Sequence, residues 1–246
     1  MKDLINKAVE ILYQSKNTIA LTGAGISVES GIPDFRSAGG LWSIYDPSDY
    51  ATIDAFLNNP EKVWDMLRAM DKLVSKAKPN RAHIGMGYLE RMGYLKCIIT
   101  QNVDNLHQAG GARNVIEYHG NHNKLICLKC GKRYTMDEKR NEFTPRCECG
   151  SILKPEVIFF GEAIPQAALY DSMQLANSAQ ALMIVGTSAA VSPANSIPIM
   201  AKKNGAKIIE INKESTYLTS RLTDLFLQGD AGDIIEKIVN VIKEDD

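Results

Sequence analysis

The chain lacks any apolar run approaching the roughly 20 residues that a bilayer span requires, so no stretch reads as a membrane segment. It also lacks a charge imbalance: 28 Lys and Arg stand against 29 Asp and Glu, a net charge of −1. That excludes a general basic field for nucleic acid or anionic lipid, and any polyanion must be small and met locally. Cysteine is scarce, and four of the five residues fall between positions 127 and 149. Such clustering speaks for a metal and against a disulfide framework. The fifth, Cys97, lies in an apolar run and reads as an inert core residue. Also missing is the third glycine of the dinucleotide fingerprint. Gly23 and Gly25 are present, but Val28 stands three residues further on, so this is not an ordinary dehydrogenase opening.

What is present suits a globular protein. With 45% hydrophobic and 23% charged residues in 246, the chain can build one large core plus a small appended module, and two domains are expected. Leu4, Ile5, Ala8, Val9 and Leu12 recur at helical spacing among Asp3, Lys7 and Glu10. That is an amphipathic helix and not a secretory signal, and the cytoplasm is the expected compartment.

The stretch Thr18–Leu21 reads as a buried strand that empties at Gly23-Ala24-Gly25 into a loop closed by Pro33-Asp34-Phe35-Arg36. Without side chains, Gly23 and Gly25 let backbone N–H groups approach a phosphate. An ordinary tight turn explains the two glycines alone about as well, and a surface ion pair beside a half-buried ring explains Asp34-Phe35-Arg36. Ser37–Gly40 reads as flexible. Residues 48–76 carry helical patterns, with Pro60 opening a helix, and form an excursion that suits a lid. Asn80 is placed to cap the next helix, which stops near Gly93, and His83 at its start reads as a structural histidine.

Further apolar runs at 96–100, 115–118, 181–185, 207–211 and 225–227 alternate with helical stretches near 166–178, 194–203 and 231–243. The fold expected is α/β, a mainly parallel sheet with helices on both faces. Glycine or short polar residues follow every strand, and the carboxyl edge of such a sheet is where ligands bind. Gly23, Gln101, His119, Gly186, Asn212 and Asp230 are therefore expected along one edge.

Cys127-x-x-Cys130 is followed, after 16 intervening residues, by Cys147-x-Cys149. Two close thiol pairs at this separation fit a zinc ribbon in which four thiolates close a tetrahedron around one Zn²⁺. With all four positions filled, the metal is structural. Lys129, Lys132, Arg133 and Arg146 lie near in sequence as counter-charge to the tetrathiolate, and His122 is not expected to be a fifth ligand.

Together these segments resemble the sirtuins, the NAD-dependent protein-lysine deacylases. The likeness rests on Gly23-Ala24-Gly25-Ile26-Ser27, Gly31–Arg36, Thr100–Asp104, Leu106-His107, His119-Gly120-Asn121, the four cysteines, Phe160-Gly161-Glu162 and Gly186-Thr187-Ser188, in one order from about residue 5 to 242. The resemblance implies a Rossmann-like NAD-binding domain (1–36, 81–120 and 156–246). It implies also a small domain made of the helical insertion (37–80) and the zinc-binding module (121–155).

By the same resemblance, Gly23, Ala24, Gly25, Asp34, Phe35 and Arg36 hold NAD at its phosphates and nicotinamide end, and Gln101, Asn102 and Asp104 address the nicotinamide ribose and carboxamide. Gly186, Thr187 and Ser188 meet phosphate and ribose, and Asn212, Lys213, Glu214 and Ala231 line the adenosine end. His119 is the general base, with Asn102 beside it in the catalytic set. Phe35, Val103, Ile158 and Phe160 wall the tunnel for the substrate lysine, and the peptide adds as a strand between Gly161-Glu162 and Val191-Ser192-Pro193. NAD is consumed as a co-substrate, giving lysine, nicotinamide and O-acetyl-ADP-ribose. Family members that remove succinyl groups carry a tyrosine and an arginine three apart in the helical excursion; alignment on Trp64 puts Leu67 and Met70 there, which points to acetyl or longer apolar acyl groups. The partner implied is an acetyl-lysine protein or peptide, with a monomer expected ahead of an oligomer and no role for nucleic acid or membrane. Two other readings remain: a mono-ADP-ribosyltransferase using the same cleft, and a zinc-ribbon nucleic-acid binder with a vestigial nucleotide domain.

Overall fold

The computed structural model describes residues 1–35 and 39–245. Arg36, Ser37 and Ala38, and with them the expected roles of Arg36 and of a flexible Ser37–Gly40 turn in its first half, lie outside the described residues.

Six strands form one parallel sheet: β1 (Thr18–Thr22), β2 (Cys97–Thr100), β3 (Val115–Glu117), β7 (Ala181–Val185), β8 (Lys207–Asn212) and β9 (Leu225–Gln228), in the order β3-β2-β1-β7-β8-β9. Every neighbouring pair is parallel, so all six carboxyl ends leave by one edge. The central strands are apolar on both sides because both faces are covered. On one face Ala20, Ile98, Met183, Ile209 and Leu227 pack with helices α1 (Lys2–Gln14), α5 (Arg81–Arg91) and α9 (Ala231–Asp245). On the other, Ile19, Leu21, Ile99, Ile184 and Ile208 meet α7 (Gln166–Ser178) and α8 (Ser196–Lys203). The order turns outward from β1 in both directions, which makes the β1/β7 crevice the switch point where such sheets bind ligands.

A third apolar cluster lies apart from the sheet and joins two distant segments. The short helices α2 (Pro47–Tyr50) and α3 (Ile53–Asn58) lead into α4 (Pro60–Val74), whose Val63, Trp64, Met66 and Leu67 pack with Leu125, Cys127, Met136, Cys147 and Leu153. Pro60 begins α4 with Asn59 as its cap, where a missing N–H costs nothing. Between α5 and β3, one further short helix, α6 (Leu106–Ala109), follows β2. The cysteine segment is held by an antiparallel sheet, β5-β4-β6, of β4 (Gly120–Cys127), β5 (Arg133–Thr135) and β6 (Leu153–Val157). Trp64 donates its indole N–H to the Leu153 carbonyl at 2.9 Å, and the buried Arg68 donates to the carbonyls of Lys139, Glu142 and Phe143. These bonds satisfy chain that would otherwise be buried unpaired.

Candidate active site

At the switch point the backbones of two strand ends touch. The Gly25 N–H donates to the Gly186 carbonyl at 2.8 Å, and the Gly186 N–H donates to Ile211 at 3.0 Å. A Cβ on Gly25 would stand 2.9 Å from the Gly186 Cα, and Gly186 itself has φ +60 with its missing Cβ aimed at the Ile26 amide. Only glycine fits either position. Ala24–Ser30 then turns as a short 3₁₀ helix. Thr187, directly after Gly186, accepts from Gln101 Nε2 at 2.9 Å, so the ends of β7 and β2 are tied across β1. Asn212 donates to the Thr187 carbonyl at 3.1 Å, which adds the end of β8. Ser188 follows in the same loop, half-buried, and Lys213 pairs with Asp230 at 2.7 Å beside the exposed Glu214 and the start of α9 at Ala231.

Beneath the glycine loop the polar groups are buried and bonded to one another, His107 Nδ1 being left without a partner. Asn102 Nδ2 donates to the Gly23 carbonyl (3.2 Å) and to Ser27 Oγ (3.1 Å), and Ser27 donates to Asp104 at 2.7 Å. Asp104 also accepts the Leu106 N–H. Ser27 stood in the sequence only as part of the family motif; its burial between Asn102 and Asp104 gives it a role that spacing does not reveal. His83, read as structural, accepts the Asn80 N–H at Nδ1 in a capping box, and its Nε2 lies 3.4 Å from Ser27 Oγ. His107 touches Thr22 Oγ1 at 2.9 Å, and that hydroxyl donates onward to Thr100. Burial holds both histidines neutral, His83 at about 4 and His107 at about 3.

His119 leaves the end of β3, with Nδ1 3.2 Å from the Gln101 carbonyl oxygen. A carbonyl only accepts, so Nδ1 carries the proton and Nε2 keeps its lone pair. Burial lowers the pKa of His119 from 6.5, and the Gln101 bond offsets this only in part. The His119 carbonyl in turn accepts the Ile158 N–H at 2.9 Å, which sets Ile158 beside that histidine. Val103 is half-buried, and its carbonyl accepts the His122 N–H. Phe35 stacks on Trp42 with ring centres 4.9 Å apart, and Trp42 reaches Phe160 at 6.5 Å. Phe160 is 45% exposed although its main chain is bonded to Ala51 and Ile53. Trp42, between two expected wall residues, carried no signal of its own in the sequence. Val191 belongs to the loop that leaves β7 for α8.

The four cysteine sulfurs lie within 4.8 Å of one another, with 3.5 Å for Cys127–Cys149 and for Cys130–Cys147. A tetrahedral zinc tetrathiolate with Zn–S near 2.3 Å has edges of about 3.8 Å, so the set fits one Zn²⁺. Three of the cations expected as counter-charge are engaged elsewhere: Lys132 with Glu148, Arg133 with Glu156 and Arg146 with Glu61. Tyr134 Oη instead lies 3.3 Å from Cys147 Sγ. His122 pairs with Asp71 at 3.2 Å and is not among the sulfur neighbours.

The profile of the Sir2 family matches residues 23–193, a span that runs from the glycine loop through the cysteine set. The chain belongs to the Sir2 family. It is 46% identical over 250 residues to NAD-dependent protein deacylase 2 of Archaeoglobus fulgidus, covering 99% of this chain and 98% of that protein. A structure described under the mechanism and regulation of Sir2 enzymes superposes with a TM-score of 0.93 at 44% identity over 100% of both chains. A Sir2 histidine-to-alanine variant, solved with a deacetylated p53 peptide and 3′-O-acetyl ADP-ribose, matches with a TM-score of 0.91 at 33% identity, over 96% of this chain and 98% of that one. Among the described residues of this Sir2 protein, no helix is long and apolar enough to cross a membrane.

Proposed function

We propose that this Sir2 chain is an NAD-dependent protein-lysine deacetylase that works from the carboxyl edge of its parallel sheet, with His119 as the general base. The observation that carries the reading is the tautomer of His119: Nδ1–H is fixed on the Gln101 carbonyl, and Nε2 is left as the acceptor. The glycines at 23, 25 and 186, whose own N–H groups are bonded to Val185, Gly186 and Ile211, shape the phosphate cradle that Ala24, Thr187 and Ser188 complete, and Asn212, Lys213, Glu214 and Ala231 take the adenosine end. Asp34 and Arg36 remain assigned to NAD by resemblance. Gln101, Asn102 and Asp104 orient the nicotinamide ribose, Asn102 and Asp104 held in place through Ser27 and Gln101 through Thr22 and Thr187.

NAD is a reactant: the acyl oxygen of the modified lysine attacks C1′ as nicotinamide leaves. His119 Nε2 takes the proton of a ribose hydroxyl, whose oxygen then attacks the former amide carbon. With one water consumed, the products are lysine, nicotinamide and O-acetyl-ADP-ribose. Phe35, Val103, Ile158 and Phe160 enclose the lysine stem and favour a neutral acylated side chain over a bare ammonium, which is costly to bury without a partner. Gly161, Glu162 and Val191 supply main-chain partners to an extended peptide, so the site reads little sequence. Cys127, Cys130, Cys147 and Cys149 hold one structural Zn²⁺. A cytoplasmic monomer without nucleic-acid binding completes the reading, in line with the even charge balance.

The test follows nicotinamide release and product mass with an acetyl-lysine peptide and NAD. Wild type is expected to yield free O-acetyl-ADP-ribose, and His119→Ala to lose turnover by about 10²–10⁴-fold, the usual range for a general base, with zinc content unchanged. ADP-ribose attached to protein, or full activity in His119→Ala, would overturn it.

A further inference from the structure

Lys154 is 3% exposed, on a strand of the cysteine sheet, and is neither a metal ligand nor a part of the cleft. Its ammonium is nevertheless completely partnered. Nζ lies 2.7 Å from the Val157 carbonyl, 3.1 Å from the Pro155 carbonyl and 2.9 Å from the Glu162 carboxylate, which uses all three of its donors. It also sits 4.6 Å above the Phe159 ring. Glu162 accepts a second bond from the Phe159 N–H at 2.8 Å. The chain from 154 to 162 is thus wrapped around one buried charge, with acceptors drawn from its two ends.

That wrapped segment is where substrate is expected to dock. One flank is bonded to the main chain of His119 through Ile158, the other to Ala51 and Ile53 through Phe160. Gly161 has φ +90, a backbone state that only glycine adopts without strain. A loop that must offer its main chain to a ligand needs its shape fixed from behind, and the ion pair stands behind it.

We propose that the Lys154–Glu162 pair positions the acyl-peptide by holding residues 158–161 in their docking shape, and that the Glu162 side chain faces inward to this pair and does not contact peptide. The inference rests on the deacetylase reading and refines it: the substrate role of Glu162 is confined to its main chain. Lys154 and Glu162 are positioning residues, and their loss is expected to weaken peptide binding while leaving NAD binding alone.

The experiment measures initial rates with acetyl-lysine peptide and NAD varied separately, and peptide affinity by fluorescence anisotropy, for wild type, Lys154→Met, Lys154→Arg and Glu162→Gln. Lys154→Met is expected to raise the peptide KM and Kd by about tenfold or more, while kcat and the KM for NAD change by less than about threefold. Lys154→Arg is expected to restore the peptide KM, because a guanidinium keeps both the charge and the donors. Glu162→Gln should shift the peptide KM in the same direction by a smaller factor. If Lys154→Met fails to fold, judged by zinc content and circular dichroism, Glu162→Gln decides alone. An unchanged peptide KM in the deciding variant, or an equal rise in both KM values, would overturn the proposal. Absence of wild-type turnover would instead sink the deacetylase reading, so the two failures are distinct.

Discussion

Mild acid should weaken this fold through two of its three buried histidines, His83 and His107. His83 and His107 sit 5.0 Å apart, ring edge to face, beneath the glycine loop. Burial is the first cause of both low pKa values; for His107 the neighbouring His83 adds to it, whereas Asp104 opposes it for His83. In the unfolded chain each imidazole titrates near 6.5. The folded values, about 4 and about 3, lie below that, so the unfolded chain binds more protons as the pH falls. The stabilisation is complete above pH 6.5 and drains away toward pH 4 and 3. Each histidine costs about 1.4 kcal/mol per pH unit in that window. Because the unfolded imidazole is half protonated at pH 6.5, the two together remove about 3 kcal/mol between pH 6.5 and 5, against the 5–15 kcal/mol that holds a typical domain folded. His119, lowered by its own burial, acts in the same sense. Urea unfolding followed by circular dichroism at pH 7, 6 and 5 reads the loss directly. His107→Gln keeps an amide N–H for Thr22 Oγ1 and should flatten the pH slope by about 1.4 kcal/mol per unit. A stability constant to within about 1 kcal/mol between pH 6.5 and 5 would refute the reasoning.

Two other perturbations separate parts of the molecule. Stripping the metal with a chelator should expose Trp64, which packs with Cys127 and Cys147 and bonds to Leu153; a red-shifted tryptophan emission with far-ultraviolet helix signal largely kept is the expected result, and an unchanged emission would contradict a structural zinc. A succinyl-lysine peptide should turn over at least about tenfold more slowly than the acetyl peptide, since Leu67 and Met70 offer no partner for a buried carboxylate; comparing kcat/KM for the two peptides decides it.

Much of the sheet was legible because its strands are short apolar runs ended by glycine or polar residues, as at Leu21–Gly23, Ile99–Gln101 and Val185–Gly186. The run expected at 115–118 forms a strand only to Glu117, after which Tyr118 turns into the core. The cysteine tetrad was legible from spacing alone. The β5-β4-β6 sheet was not: β4 carries Asn121, His122, Asn123 and Lys124 in succession, its pairing with β6 shifts between Asn121 and Leu125, and nothing local announces a strand. Lys154 gave no signal either, since a lysine is read as exposed until the fold supplies three acceptors around it. Nor did Glu210, wholly buried on β8, whose carboxylate collects the hydroxyls of Thr216, Thr219 and Thr223. For Lys154 and Glu210 the partners are near in sequence, but only the folded loop turns them back onto the buried charge.

β6 begins four residues after Cys149 and ends with Val157 opposite Gly120, the residue that follows His119. One five-residue ribbon therefore links the sulfur cluster to the histidine, and both ends are fixed in register. Exchanging the cysteine segment for one from another protein would leave His119 in place only if the graft kept this ribbon's length. A single inserted residue there would turn every side chain beyond it to the opposite face and carry the Ile158 amide away from the His119 carbonyl.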